Sequence, residues 1–252
     1  MNAFLLASGE GTRIRPLTKL VPKCLLPVNG VPILRLWIEN LIKAGVGKIF
    51  LNTCYLSDVV KKYISESDLE QFVIVLDEEE VLGTAGSLIH WIDNFIDDDM
   101  LLIHADTFIP NGINEFLSFV ERQNNKNSIL AFETDHPERF GICDIDDESR
   151  LLRFDEKNSC AKGSIASAAT FYLERQFLLH LRQESNQYHD FSKEVVPLLV
   201  GQCFVFVERG VVIDIGTPSD YRRAQSERPI GYCSPDEPTF IKELIEDAFR
   251  MF

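Results

Sequence analysis

The chain is 252 residues long and 45% hydrophobic, and it carries 39 acidic against 25 basic residues for a formal net charge of −14 at pH 7. Such a length and apolar content suffice for one large α/β domain or two small ones, and the charge argues against nucleic acid, because neutralising phosphates needs a basic face and no long basic run occurs. No segment reaches the ~18–20 apolar residues of a bilayer span and the N-terminus has no h-region, so the expectation is a cytoplasmic protein with no membrane attachment.

Residues 3–7 read as a first strand that runs into Ala7-Ser8-Gly9-Glu10-Gly11-Thr12-Arg13. Gly9 and Gly11 let the backbone turn left-handed and approach an anion, and successive amides in such a turn form an anion nest. Arg13, Arg15, Lys19 and Lys23 add cations to a loop whose only acid is Glu10, so the local field opposes the global charge. Ile14 stands where a dinucleotide fingerprint needs its third glycine, and a P-loop would need Gly-Lys-Ser/Thr after four spacers, so neither motif is present.

A helix is expected from Pro32 to Gly45, with Ile33, Leu36, Trp37, Leu41 and Ile42 on one side. Apolar runs at 48–52, 72–76, 100–104 and 129–132 read as strands, separated by helical patterns at 57–66, 87–96 and 114–122. That alternation predicts an α/β fold with a mixed, mostly parallel sheet flanked by helices. Runs at 141–144, 151–156 and 167–173 predict short antiparallel additions, followed by helices at 175–182 and 192–199, strands at 204–207 and 211–215, and a helix from about Pro218. Residues 1–226 form the expected domain. Residues 227–238 read as a linker to a helix in 239–252, whose stripe of Phe240, Ile241, Leu244, Ile245, Ala248 and Phe249 needs an apolar partner. The same subunit is the first expectation for that partner, and a homodimer contact is the alternative.

Ligands of open α/β sheets sit beyond the carboxyl ends of the strands. Asp106 follows the run 100–103 there, and Asp214 stands between apolar neighbours that make a solvated surface acid improbable. Magnesium commonly takes one or two carboxylates together with phosphate oxygens. The five histidines form no cluster and receive no role. The six cysteines, Cys24, Cys54, Cys143, Cys160, Cys203 and Cys233, include no Cys-x-x-Cys pair and read as free thiols.

The run Gly9-x-Gly11-Thr12-Arg13-Ile14-x-Pro16-Leu17-Thr18, closed by Pro22-Lys23 and an apolar stretch to Pro27-Val28, resembles the signature of the sugar-1-phosphate nucleotidyltransferases. Asp214-Ile215-Gly216-Thr217-Pro218-Ser219-Asp220-Tyr221 resembles a second segment of that family. The resemblance implies a Rossmann-like nucleotidyltransferase fold similar to glycosyltransferase A, with Mg²⁺ held by Asp106 and Asp214. It implies transfer of a nucleotidyl group from a nucleoside triphosphate to a sugar 1-phosphate, with Arg13 and Lys23 catalytic. The nucleotide would be held by Ala7, Ser8, Gly9, Gly11, Thr12 and Arg13, and its base by a loop containing Gly83, Thr84 and Gly86. The sugar phosphate would meet Gly141, Glu156, Lys157 and Ser167, the last standing where the family usually has asparagine. Residues 52–58 look like guanylyltransferases that make GDP-mannose or GDP-heptose for surface glycans. The alternatives are a cytidylyltransferase acting on a phosphate such as phosphocholine, and a non-catalytic subunit that binds a nucleotide-sugar.

Overall fold

The computed structural model describes residues 1–158, 161, 163–184, 188–229 and 236–250. Cys160, Cys233 and the linker residues 230–235 lie outside the described residues. In chain order the longer strands are β1 (Asn2–Leu6), β2 (Ile49–Thr53), β3 (Val73–Asp77), β4 (Met100–His104), β5 (Ser128–Glu133), β6 (Gly141–Ile145), β7 (Leu151–Glu156), β8 (Ile165–Leu173) and β9 (Phe204–Glu208). The α-helices are α1 (Ile33–Lys43), α2 (Ser57–Glu66), α3 (Thr84–Trp91), α4 (Asn114–Arg122), α5 (Arg175–Gln183), α6 (Pro218–Ala224) and α7 (Thr239–Arg250). The protein is mixed α/β, and its central sheet is largely parallel and flanked by helices.

The chain divides into two compact units, one of Met1–Phe4, Leu82–Ile103 and Ile113–Val212 and the other of Leu5–Val81, His104–Gly112 and Ile213–Phe252. In the first, strands run in the order β7-β6-β8-β4-β1, with β5 beside β8 and β9 beside β5. Strand β8 is antiparallel to β4, β5 and β6, whereas β9 is parallel to β5. The expected antiparallel additions therefore lie side by side in the order β7-β6-β8, with β7 paired to β6 and β6 to β8. Strand β8 is irregular: its register with β5 shifts between Ser167 and Thr170, and Ala169 takes a left-handed φ of +51° there. Because a Cβ is disfavoured at that angle, Ala169→Gly is expected to raise unfolding stability by about 0.5–1 kcal/mol, read as a higher urea midpoint.

In the second unit β2 and β3 pair in parallel from Ile49 opposite Val73 to Thr53 opposite Asp77. Helix α1 starts after Pro32 and stops at Lys43, and it buries Leu34, Arg35 and Ile38 in addition to Ile33, Leu36, Trp37 and Leu41 of the expected side, while Ile42 is half-buried. It is thus enclosed nearly all round.

Three expected elements differ. Residues 192–199 form a π-helical turn, Phe191–Val195, and then a 3-10 turn, Val196–Leu199. The Asp190 carboxylate accepts the Lys193 amide at 3.0 Å, and Pro197 contributes no N–H, so regular α-helical bonding is interrupted at both places. The strand expected at 211–215 contracts to Ile213–Asp214. The helix expected at 87–96 begins earlier, at Thr84, and ends at Trp91. Among the described residues Cys24, Cys54, Cys143 and Cys203 are free thiols, and no helix is long and apolar enough to cross a membrane.

Candidate active site

Beyond β1 the chain makes three single 3-10 turns, Thr12–Ile14, Leu17–Lys19 and Lys23–Leu25. Pro16 and Pro22 each lack a donor, which keeps these turns from merging into a helix. Gly11 has φ +61°, and a Cβ on it would come within 2.9 Å of Thr18 Cγ2 and 3.2 Å of Lys23 Cβ. Glycine is thus required by both angle and space. The Thr18 hydroxyl donates to the Gly11 carbonyl at 2.8 Å, and the Tyr55 hydroxyl donates to the Thr18 carbonyl at 2.9 Å.

The mouth of the loop is held by a residue that the sequence reading left without a site role. Buried Asn52, the fourth residue of β2, accepts the Ala7 amide at 2.6 Å and donates to Glu78 Oε1 at 3.0 Å and Ser8 Oγ at 3.3 Å. A buried amide near the carboxyl end of an otherwise apolar strand was the available signal.

A two-residue antiparallel ladder brings the two aspartates together: Thr107 pairs with Asp214 and Phe108 with Ile213. The Ile215 amide donates to the Asp106 carbonyl at 3.1 Å, and the indole N–H of Trp37 in α1 fixes the Thr107 carbonyl at 2.8 Å. On the far side Thr217 caps α6 by accepting the Asp220 amide at 3.2 Å, and it donates to Asp220 Oδ2 at 2.6 Å. Tyr221 donates to the Pro27 carbonyl at 2.7 Å, which ties this segment to the end of the apolar stretch that follows the glycine loop.

Lys23 is 9% exposed, and its ammonium bridges the carboxylates, bonding Asp106 Oδ2 and lying 3.2 Å from Asp214 Oδ1. Burial would lower the lysine's pKa, but Asp106 and Asp214 outweigh it and hold the ammonium above its ordinary value. Burial likewise pushes the Asp106 carboxyl up, and the charges of Lys23 and His104 overcome this and keep it below the usual carboxylate range. Arg13 reaches to 3.8 Å from Asp214 Oδ2, and a Cβ on Gly216 would press to 2.8 Å from Arg13 Nη2 and 2.9 Å from Asp214 Oδ1. Arg15 turns away to Glu10 at 2.9 Å. The cleft so formed has a volume of about 220 Å³ and is lined by Ala7, Gly9, Gly11, Thr12, Arg13, Lys23 and Asp106 among others.

The remaining expected residues belong to the first unit. Gly141 pairs with Glu156 across β6 and β7, and a Cβ on it would lie 2.1 Å from Phe154 Cζ and 2.6 Å from Glu156 Oε2. Lys157 follows with φ +46° and an ammonium 3.2 Å from Glu156 Oε1, so this pair and Gly141 form one cluster. Ser167 lies on β8 next to Ala166, which is opposite Ile142, and its hydroxyl accepts the Ala169 amide at 3.2 Å. The segment 83–86 is largely helix rather than loop. Gly83 has φ +81°, and a Cβ there would meet the His189 carbonyl oxygen at 2.4 Å, while the Ala85 amide donates to that oxygen at 2.9 Å. Thr84 Oγ1 accepts the Phe191 amide at 2.8 Å. Internal packing therefore explains the Gly83 backbone, and Gly86 sits inside α3.

Two converging carboxylates that already enclose an ammonium are a hard-oxygen donor pair of the kind Mg²⁺ uses together with phosphate oxygens. Among the described residues no group of three or more histidine, cysteine or acidic side chains that could hold a metal occurs.

A model of the family described as nucleotidyl transferase matches residues 2–229. Over 230 residues the chain is 30% identical to the mannose-1-phosphate guanylyltransferase catalytic subunit beta of Xenopus tropicalis, spanning 88% of this chain and 62% of that protein. Over 221 residues it is 27% identical to the D-glycero-alpha-D-manno-heptose 1-phosphate guanylyltransferase of Campylobacter jejuni, spanning 88% of this chain and 97% of that one. The crystal structure of HddC from Yersinia pseudotuberculosis complexed with GMP-PN is similar with a TM-score of 0.72 at 25% identity, spanning 89% of this chain and 98% of that chain. The chain thus covers under two thirds of the length of the first mannose-1-phosphate guanylyltransferases it matches, and nearly all of the heptose-phosphate protein. Since the match runs from β1 through α6 and takes in the glycine loop and both aspartates, the chain belongs to the nucleotidyl transferase family.

Proposed function

We propose that the protein is a Mg²⁺-dependent sugar-1-phosphate nucleotidyltransferase, that its triphosphate is GTP, and that its acceptor is a mannose- or heptose-type 1-phosphate. The observation that carries the reaction class is Lys23 between Asp106 and Asp214 with Arg13 beside them, at the mouth of a glycine loop. The guanine and sugar assignments are supported by the named activities of the Xenopus and Campylobacter relatives and by the GMP-PN complex of HddC. The product would be a GDP-sugar, the donor form used to build surface glycans.

An oxygen of the acceptor phosphate attacks the α-phosphorus, the bond from that phosphorus to the β-phosphate bridging oxygen breaks, and pyrophosphate leaves with the electron pair. No general base is required, because a phosphomonoester with a second pKa near ~6 is already largely dianionic at neutral pH. The protein's work is to align two anions that repel each other and to stabilise the charge that builds on them. Lys23 meets the α-phosphate, Arg13 the departing pyrophosphate, Lys157 the incoming phosphate and Glu156 the sugar hydroxyls. Asp106 and Asp214 would hold Mg²⁺, which neutralises charge on the phosphate oxygens.

The test is pyrophosphate release with Mg²⁺ across five nucleoside triphosphates, each paired with a panel of sugar 1-phosphates and with phosphocholine. Release that requires GTP and a manno-configured sugar 1-phosphate is the expected result. Turnover only with CTP and phosphocholine would replace the acceptor class, and tight nucleotide-sugar binding with no turnover would make the chain a binding subunit.

A further inference from the structure

Helix α7 is placed against the site loop by a buried ionic latch. Within the second unit Ile241 and Ala248 are fully buried, the helix lies against the Leu17–Lys19 turn, and the Phe249 ring stands 6.2 Å from that of Tyr221 in α6. The helix is entered through Glu237, only 6% exposed, whose Oε1 is 2.7 Å from Arg35 Nε and whose Oε2 accepts the Tyr63 hydroxyl at 2.9 Å. Arg35 in turn binds Asp68 at 2.8 Å and Glu39 at 3.2 Å. Taking such charges out of water is expensive, and an apolar pair of the same volume would stabilise at least as well. A buried pair of this kind is suited to fixing where a segment sits.

What α7 touches are the two segments that carry the site. From the Leu17–Lys19 turn the Thr18 hydroxyl reaches the Gly11 carbonyl, and Gly11 is packed under Lys23 and lies two residues before Arg13. Through Tyr221 the helix meets the segment that begins at Asp214. We propose that α7, latched by Glu237, is a positioning element for the triphosphate subsite: it holds the Leu17–Lys19 turn, and through it Arg13 and Lys23, in register with Asp214. Glu237 and Phe249 are then positioning residues with no substrate contact. The kinetic part of this proposal rests on the nucleotidyl-transfer reading.

Glu237→Gln keeps the shape of the side chain and an acceptor for Tyr63, and Phe249→Ala removes a ring that is 42% exposed, so both variants should fold. In the full-length protein, hydrogen exchange of amides 11–25 is expected to quicken ~5-fold or more in these variants while β5 and β8 keep their protection. The KM for Mg·GTP should rise ~5–10-fold, with the KM for the sugar 1-phosphate changing less than ~2-fold. Unchanged exchange at 11–25 in both variants, or an equal increase in β5 and β8, would overturn the proposal, as would an equal rise in both KM values. If the wild-type protein turns nothing over, the proposed reaction fails while the exchange data still decide the role of α7.

Discussion

Lys23→Ala is expected to lower kcat/KM for nucleotidyl transfer by ~10²-fold or more, by analogy with the loss of one donor to a developing oxyanion. It should also reverse the pH dependence of stability. In the wild-type protein Lys23 and His104 keep the Asp106 carboxyl below its ordinary range despite burial. That contribution is present above the unfolded carboxyl pKa of ~3.9 and is lost as pH falls through the lower folded value. Without the ammonium, Asp106 faces the charge of Asp214 in a half-buried site, and its carboxyl moves up instead. The variant should lose on the order of 2 kcal/mol at pH 7, less than a fully buried pair would lose because both carboxylates are about a third exposed. It should regain stability as pH falls from 7 to 5. Urea midpoints across that range decide the matter, since a flat profile would refute the counter-ion role. Asp106→Asn should lose as much activity with a smaller change in stability, because Lys23 keeps Asp214. Retention of more than half the activity in either variant would remove that residue from the mechanism.

The largest stability effect is expected at Arg35, in the latch of α7. Arg35→Ala leaves the Glu237 carboxylate buried with only the Tyr63 hydroxyl, and should cost about 3–5 kcal/mol. For a chain of this size that corresponds to a fall in Tm of roughly 10 °C. Burial already pushes the Glu237 carboxyl up, with Arg35 and Tyr63 pulling only partly the other way. A folded state that favours the protonated acid loses stability as pH rises through the unfolded value. The Arg35→Ala defect should therefore shrink below ~pH 5. The double variant Arg35→Met with Glu237→Leu should recover most of the loss, since apolar replacement of both members of a buried pair is near neutral or better. By contrast Arg250→Ala, which breaks an exposed pair with Asp247 at 3.0 Å, should change stability by less than ~0.5 kcal/mol. A loss below 1 kcal/mol at Arg35 would remove the latch from the account of α7.

Elements whose period and boundaries agree were legible in the sequence. Strands β4 and β7 and helices α2 and α4 fall on the residues that the sequence marks for them. Both aspartates stand out in the sequence, Asp106 after the apolar run 100–103 and Asp214 between apolar neighbours, and the ladder of residues 107–108 with 213–214 brings the two together. The start of helix α3 was not legible, because Gly86 reads as a loop residue whereas the first turn is fixed from outside by the His189 carbonyl and the Phe191 amide. Asn52 could be seen as out of place in a strand, yet its bond to the Ala7 amide depends on how two strands align. The latch was beyond reach altogether. Glu237 is 174 positions from Tyr63, and Arg35 in sequence is one more charged residue on an amphipathic helix. Long-range pairings of this kind carry no local period.

The ladder between Thr107–Phe108 and Ile213–Asp214 also sets an order of events during synthesis. Lys23 and Asp214 are 191 positions apart, and closing a loop of that length costs about 4–5 kcal/mol in chain entropy. As a nascent chain leaves the ribosome, its glycine loop and Asp106 are available well before their third partner. Until Ile213 and Asp214 have emerged and paired, a half-made chain holds the Lys23 ammonium against only one of its two carboxylates. On the proposed reading, a chain that has not yet made Asp214 would lack one of the two carboxylates offered to Mg²⁺, so connectivity alone would hold back turnover until the fold is closed.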